Sequence, residues 1–163
     1  MTIIVVDPAE TLFDALRQVF GNVVAIDAHA AADDIMWETL DALKTAHSSM
    51  ASGGRVVVIL PTIGIAGAAG LVDYTTAVEG IRAMAKSAAR QWASERIGVN
   101  MIAVPLKLFA ADGDTSHLTA AAVRNDEALI DSIVETAGFL LRDDLTDLTG
   151  DTVIVDGGSV MLP

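Results

Sequence analysis

The chain has 163 residues, 52% of them hydrophobic, no cysteine and a formal net charge of -12. That length makes one domain, residues 1–163, with material for a full core. Disulfides, thiolate metal sites and cysteine nucleophiles are excluded. The negative balance repels nucleic acid and anionic membrane surfaces. No apolar run is long enough to span a bilayer, and the opening MTIIVVDPAE lacks the basic segment of a signal peptide, so a cytoplasmic location is expected.

In chain order, TIIVVD (residues 2–7) is a β-branched run ending at Pro8 and predicts a buried strand. AETLFDALRQVF spaces Leu12, Phe13, Leu16, Val19 and Phe20 as a helix does, with Gly21-Asn22 as its stop. NVVAID predicts a second strand, and DDIMWETLDALKTAHSSM a helix with Asp33 or Asp34 near its N-terminus. Gly53-Gly54 punctuate the chain before a third strand, RVVVIL. The loop PTIGIAGAAGLV leads into a long helix from Asp73 to about Glu95, and GVNMIAVP predicts the fourth strand. Residues 106–123 lack a clean period and predict a loop with room for a short helix. NDEALIDSIVETAGFLLRD aligns Leu129, Ile130, Ile133, Val134, Ala137 and Leu141 on one helical face, and DTVIVDGG predicts the last strand.

The strands are continuous apolar runs, the pattern of strands covered on both faces of a parallel sheet. Their alternation with helices predicts an α/β fold: a three-layer Rossmann-like parallel sheet of about five strands flanked by helices.

Charge is uneven along the chain. Residues 1–43 carry eight acids and one base, whereas Arg82, Lys86, Arg90 and Arg96 place four of the ten bases on or just after one helix. That helix presents either a solvated face or a surface for an acidic partner. His29, His47 and His117 lack metal-ligand spacing, and the carboxylates of DGDTSH (residues 112–117) do not continue into a calcium loop, so no metal is expected.

Several segments, in order, resemble the short-chain dehydrogenase/reductase family. GGRVVVILPTIGIAGAAGLVDY is similar to the family's strand, active-site loop and start of the tyrosine helix. ASERIGVNMIAVP is similar to that helix's end and the next strand, AGFLLRDDLTDLTGDTVIVDGG to the C-terminal helix, turn and final strand, and Trp37 to a tryptophan that opens an earlier helix. The resemblance implies the Rossmann-like fold without the usual dinucleotide-binding half. The first strand runs into DPAETL, where the family has a glycine-rich turn for a dinucleotide pyrophosphate. VVAID is aligned with the family's Asn-Asn-Ala-Gly strand end.

The resemblance further implies an Asn, Ser, Tyr and Lys tetrad. Lys44 stands at the asparagine position, seven residues after Trp37, and Pro61 at the serine position, thirteen before Tyr74, with Thr62 beside it. Val78 stands at the lysine position, and Pro105-Leu106 replaces the family's Pro-Gly. Only Tyr74 matches. A phenol of pKa about 10, with no lysine one turn away, is a poor acid or base at neutral pH. Two readings of Tyr74 follow: it packs with its hydroxyl bonded locally, or Thr62 and Lys44 rescue the site. No catalytic residue and no bound cofactor are expected in this chain, with NAD or NADP expected in a partner.

What the resemblance retains are assembly elements. The tyrosine helix and the helix before it form a four-helix subunit contact in the family. Ala77, Gly80, Ala85 and Ala88 are small, and Ile81, Met84 and Trp92 larger. They serve either a partner helix or the chain's own sheet. The tail Val160, Met161 and Leu162 is apolar and expected to lie at a subunit boundary. Three functions remain open: a non-catalytic subunit pairing with a catalytic short-chain dehydrogenase, a stand-alone oxidoreductase using Tyr74, or a homo-oligomeric ligand-binding or regulatory module.

Overall fold

The computed structural model describes residues 1–27, 32–50, 52–118 and 126–161. Five strands form one parallel sheet: β1 (Thr2–Val6), β2 (Val23–Ile26), β3 (Gly54–Pro61), β4 (Ile97–Val104) and β5 (Thr152–Ile154). Helices α1 (Glu10–Val19), α2 (Ala32–Ser48), α4 (Val72–Trp92) and α5 (Asp126–Leu140) connect them, and a single turn, α3 (Ile63–Ala66), follows β3. All the expected strands and long helices are present. In the 106–123 segment the described part holds a 3-10 turn at Leu106–Leu108.

The order across the sheet is β2-β1-β3-β4-β5. β1 pairs with β3, Thr2 opposite Val56 through Val5 opposite Ile59, and β2 lies outside β1. The doubly wound dinucleotide fold has the order 3-2-1-4-5-6. Removing strands 3 and 4 from it leaves 2-1-5-6, the order of the first four strands here. This corrects the alignment of VVAID with the Asn-Asn-Ala-Gly strand: the strand preceding β3 in sequence is the outermost one, and β1 fills the place beside β3.

Burial follows the apolar pattern. The two central strands β1 and β3 have almost no accessible side chain, and β4 is buried along its whole length. One face of the sheet packs Ile4, Val58, Leu60 and Met101 under Ile35 and Leu43 of α2 and Val78, Ile81 and Ala85 of α4. The other packs Ile3, Val57, Ile59 and Ile102 under Leu12 and Leu16 of α1 and Leu129, Ile133 and Ala137 of α5. Gly80 lets α2 and α4 approach closely, because a Cβ there would lie 2.7 Å from Met36 Sδ. At the far end of that helix pair, the His47 ring stacks on Trp92 with centroids 4.6 Å apart and hydrogen-bonds Glu95 at 2.9 Å.

A buried cation ties the same end of the sheet together. Arg55, second residue of β3, is 6% exposed. Its Nη1 donates to the carbonyls of Gly54 (2.7 Å) and Arg96 (3.2 Å), and its Nη2 to those of Asp143 (3.1 Å) and Leu145 (2.9 Å). Gly98 on β4 leaves room for the stem, since a Cβ would stand 3.2 Å from Arg55 Cδ. Arg55→Met keeps the stem and strands these carbonyls. It is expected to cost about 3 kcal/mol, read as a fall of roughly 10 °C in melting temperature.

Candidate active site and what fills it

In open α/β sheets ligands bind outside the carboxyl ends of the strands, where the strand order reverses. Here that place lies beyond β1 and β3, and the chain itself crosses it. Pro8 forms an antiparallel bridge with Phe109. The Ala9 N–H donates to the Leu108 carbonyl at 2.9 Å, and the Ala110 N–H to the Asp7 carbonyl at 2.9 Å. Asp7 takes a left-handed conformation, φ 50°, and is 3% exposed. A pyrophosphate at the N-terminus of α1 would need free backbone donors and positive potential. It would meet Pro8, which has no N–H, the Ala9 N–H already bonded, and Asp7 and Glu10. The residues present do not fit a dinucleotide.

Tyr74 opens α4 and packs between the two core clusters, at the edge of both. Its hydroxyl is sealed from solvent and makes no hydrogen bond among the described residues. The local hydrogen bond expected for it is therefore not formed. Burial, and behind it the charge of Asp7, push the phenol well above its ordinary value. A catalytic tyrosine needs the opposite shift. Val78, one turn on, is fully buried, with its Cγ1 only 2.6 Å from where a Cβ on Gly64 would stand. The backbone of α3 fills the space a lysine would need.

The other tetrad positions do not converge on Tyr74. The Lys44 side chain is 63% exposed and pairs with Asp41 one turn earlier, at 3.7 Å. Pro61 ends β3 opposite Val104. Thr62 is 1% exposed and, with Pro105, Leu106, Lys107, Thr115 and Ser159, lines a cavity of about 220 Å³ that Tyr74 does not border. The rescued trio of Tyr74, Thr62 and Lys44 is not assembled. His117 anchors its loop to the Gly67 carbonyl at 3.0 Å, and His29 lies outside the described residues.

The assembly residues divide between two surfaces. Ala77, Ile81, Ala85, Ala88 and Trp92 are buried in this chain's own core, because α4 needs that face for the sheet. They are not available to a partner, a correction to the expected interface. The outward side of α4 carries a different stripe, Thr76, Ala83 and Ser87, at helical spacing. Gly80 and Met84 are half-buried, and Trp37 on α2 is 63% exposed. The tail is pinned by Asp156, which is 2% exposed and whose carboxylate accepts the N–H groups of Gly158, Ser159 and Val160 at 2.8, 3.1 and 2.8 Å. Val160 is half-buried and Met161 is 81% exposed, while Leu162 lies outside the described residues. Sequence reading missed this carboxylate nest, although its Asp-Gly-Gly signal was in view. It also missed the pairing of residues 7–9 with 108–110, which has no periodic signal.

Residues 9–160 match the family model described as enoyl-(acyl carrier protein) reductase. The chain belongs to the short-chain dehydrogenase/reductase family. It is 29% identical over 114 residues to the 3-oxoacyl-(acyl-carrier-protein) reductase FabG of Salmonella typhimurium, covering 67% of this chain and 47% of that protein. It is 28% identical over 133 residues to the short-chain dehydrogenase/reductase aba4 of Botryotinia fuckeliana, covering 74% and 51%. The chain thus spans about half the length of the curated relatives it matches. Among solved structures, a short-chain type dehydrogenase/reductase from Mycobacterium ulcerans superposes with a TM-score of 0.60 at 23% identity, over 77% of this chain and half of the other. That likeness shows the fold. Members of the family are oxidoreductases that normally use NAD or NADP. Among the described residues no helix is long and apolar enough to cross a membrane.

Tyr74 is the only tyrosine, so its ionisation can be followed alone by ultraviolet difference absorbance. With the folded pKa raised, the neutral phenol's share of stability is present below the unfolded value of about 10. It is lost as pH climbs above that value, because only the unfolded chain ionises. The folded protein is expected to show no phenolate at pH 10, with phenolate appearing only as the chain unfolds. Tyr74→Phe, which removes a hydroxyl without a partner, is expected to leave the neutral-pH melting temperature equal or higher and to flatten its alkaline fall.

Proposed function

We propose that this chain is a non-catalytic member of its family that pairs with a catalytically active short-chain dehydrogenase subunit, the partner carrying the NAD or NADP. The observation that supports this most is the crossing of residues 108–110 over the end of β1. It occupies the cofactor's place with hydrogen-bonded backbone while the fold's outer layers stay intact. The filled lysine position at Val78 and the raised phenol of Tyr74 point the same way: the fold is kept and the chemistry is not. Trp37 and the stripe Thr76, Ala83 and Ser87 offer an outward helix pair on which a partner's helices can pack. Covering a side chain of that size is worth about 2 kcal/mol. The bases flanking it, Lys86 and Arg90, are exposed and fit a partner with an acidic helix surface.

Purification of the native complex from its host is expected to recover a full-length dehydrogenase with this chain. Trp37→Asp is expected to lower that recovery at least tenfold without lowering the chain's own melting temperature by more than a few degrees. The isolated chain is expected to show no rise in melting temperature with either dinucleotide. Recovery free of any dehydrogenase, or a dinucleotide-dependent rise, would sink the proposal.

One observation favours a second reading, a ligand-binding module. The 220 Å³ cavity is lined by the hydroxyl-bearing Thr62, Thr115 and Ser159 beside Lys107, a lining suited to a small polar molecule. A screen of such molecules by thermal shift separates the two: a rise abolished by Thr62→Val, with no dehydrogenase recovered, favours the module.

A further inference from the structure

The cavity of about 220 Å³ lies where three segments meet beyond the carboxyl ends of the strands. Thr62 directly follows β3, Pro105 and Leu106 directly follow β4, and Ser159 belongs to the tail after β5. Thr62 is 1% exposed. Neither its hydroxyl nor that of Thr115 has a hydrogen-bond partner among the described residues. A polar group as buried as Thr62 is ordinarily bonded, and a donor left without an acceptor is costly. Lys107 spends one N–H on Asp126 and keeps two. Ser159 spends its proton on the Asp156 carbonyl at 3.0 Å and offers only lone pairs. The polar lining is thus rich in unused donors and carries one positive charge. Pro105, Leu106 and Leu118 make the rest of it apolar.

We propose that this cavity binds a small monocarboxylate with a short carbon chain. The inference rests on reading the cavity as a ligand site, and it adds the charge and class of the ligand. A carboxylate only accepts hydrogen bonds, so it matches the free protons of Thr62, Thr115 and Lys107. Such charge-assisted bonds are stronger than neutral ones. An amine of the same size brings donors and a positive charge where both are already present. The carboxylates on the flanking segments are each occupied. Asp126 pairs with Lys107, and Asp114 accepts the Ser116 N–H at 2.9 Å. Asp156 accepts the N–H groups of Gly158, Ser159 and Val160. The volume has room for about seven water-sized groups, the size of butyrate, whose carbons then lie against Pro105, Leu106 and Leu118. Tyr74 does not border the cavity, so the site binds and does no acid–base chemistry with that phenol.

The test titrates the isolated full chain with sodium butyrate, by calorimetry and thermal shift, with sodium chloride holding ionic strength constant. Butyrate is expected to bind saturably at one site and to raise the melting temperature. Butyramide and butylamine keep the chain but lose or reverse the charge, and are expected to bind at least tenfold more weakly. Thr62→Val replaces the unbonded hydroxyl with a methyl of similar size. It is expected to keep the ligand-free melting temperature and to weaken butyrate at least tenfold. Lys107→Met alters an exposed side chain that the fold does not need, and is expected to weaken butyrate by a similar factor. A response to butyrate that never saturates, equal binding of butyramide, or undiminished binding in either variant overturns the inference. Binding of butyramide that depends on Thr62 keeps the ligand site and sinks the carboxylate, so the two readings fail separately. None of these results bears on recovery of a dehydrogenase through Trp37.

Discussion

β1 makes its ladder directly with β3, Thr2 opposite Val56 to Val5 opposite Ile59, and that pairing sets what the rest of the sheet can hold. In the doubly wound order a further strand separates these two, and a dinucleotide lies over the crevice at its end. With β1 drawn in beside β3, the carboxyl ends of the two central strands are immediate neighbours. The crevice narrows to the width of a backbone, and a backbone fills it: Asp7 to Ala9 bonded to Leu108 to Ala110. The left-handed Asp7 is the bend that turns the chain from β1 into this contact. Non-glycine residues in that region carry local strain, and here two backbone bonds hold the bend in place.

The same pairing sets the surroundings of Tyr74. α4 keeps its seat against β4 and α2, so its first turn still delivers an aromatic ring to the mouth of the sheet, where it touches both core layers. What the ring meets there is apolar side chains and the charge of Asp7. Both surroundings oppose phenolate. The Val78 position is fully buried against Gly64, so a longer side chain there has to displace the turn that follows β3.

Much of the fold was legible. Five apolar runs and the long periodic helices are one-dimensional signals, and Tyr74 with the Pro-Thr loop placed the region of interest. Strand order was not legible, because TIIVV and VVAI are equally apolar and nothing local records which lies beside β3. That choice is made by helix packing: Gly80 admits Met36, which seats α2 beside α4 and carries its crossover past β1. The fate of the small residues on α4 was open for a related reason. Alanine suits a sheet and a partner helix equally, so composition could not assign Ala77, Ala85 and Ala88 to the core and leave Thr76, Ala83 and Ser87 outside. The helical phase decides, and only contact with the sheet fixes the phase. Residues 105–110 gave no signal because their order comes from pairing with residues a hundred positions away, through backbone atoms that every sequence possesses.

Burial of Arg55 shows how the fold tolerates the shortened sheet. A narrow sheet has fewer strands to order its loops, and at the end away from the crevice one guanidinium collects four carbonyls from the start of β3, the turn before β4 and the segment after α5. At the same end Asn100 holds the Leu148 carbonyl and the Asp151 N–H, and at the other end Asp156 gathers three backbone N–H groups. These bonds are made to backbone and are independent of any ligand. A dinucleotide enzyme is free to order its loops on its cofactor, whereas this chain orders them on its own buried polar side chains. Such bonds order the loops from within the chain, at positions where burial makes each of them costly to break.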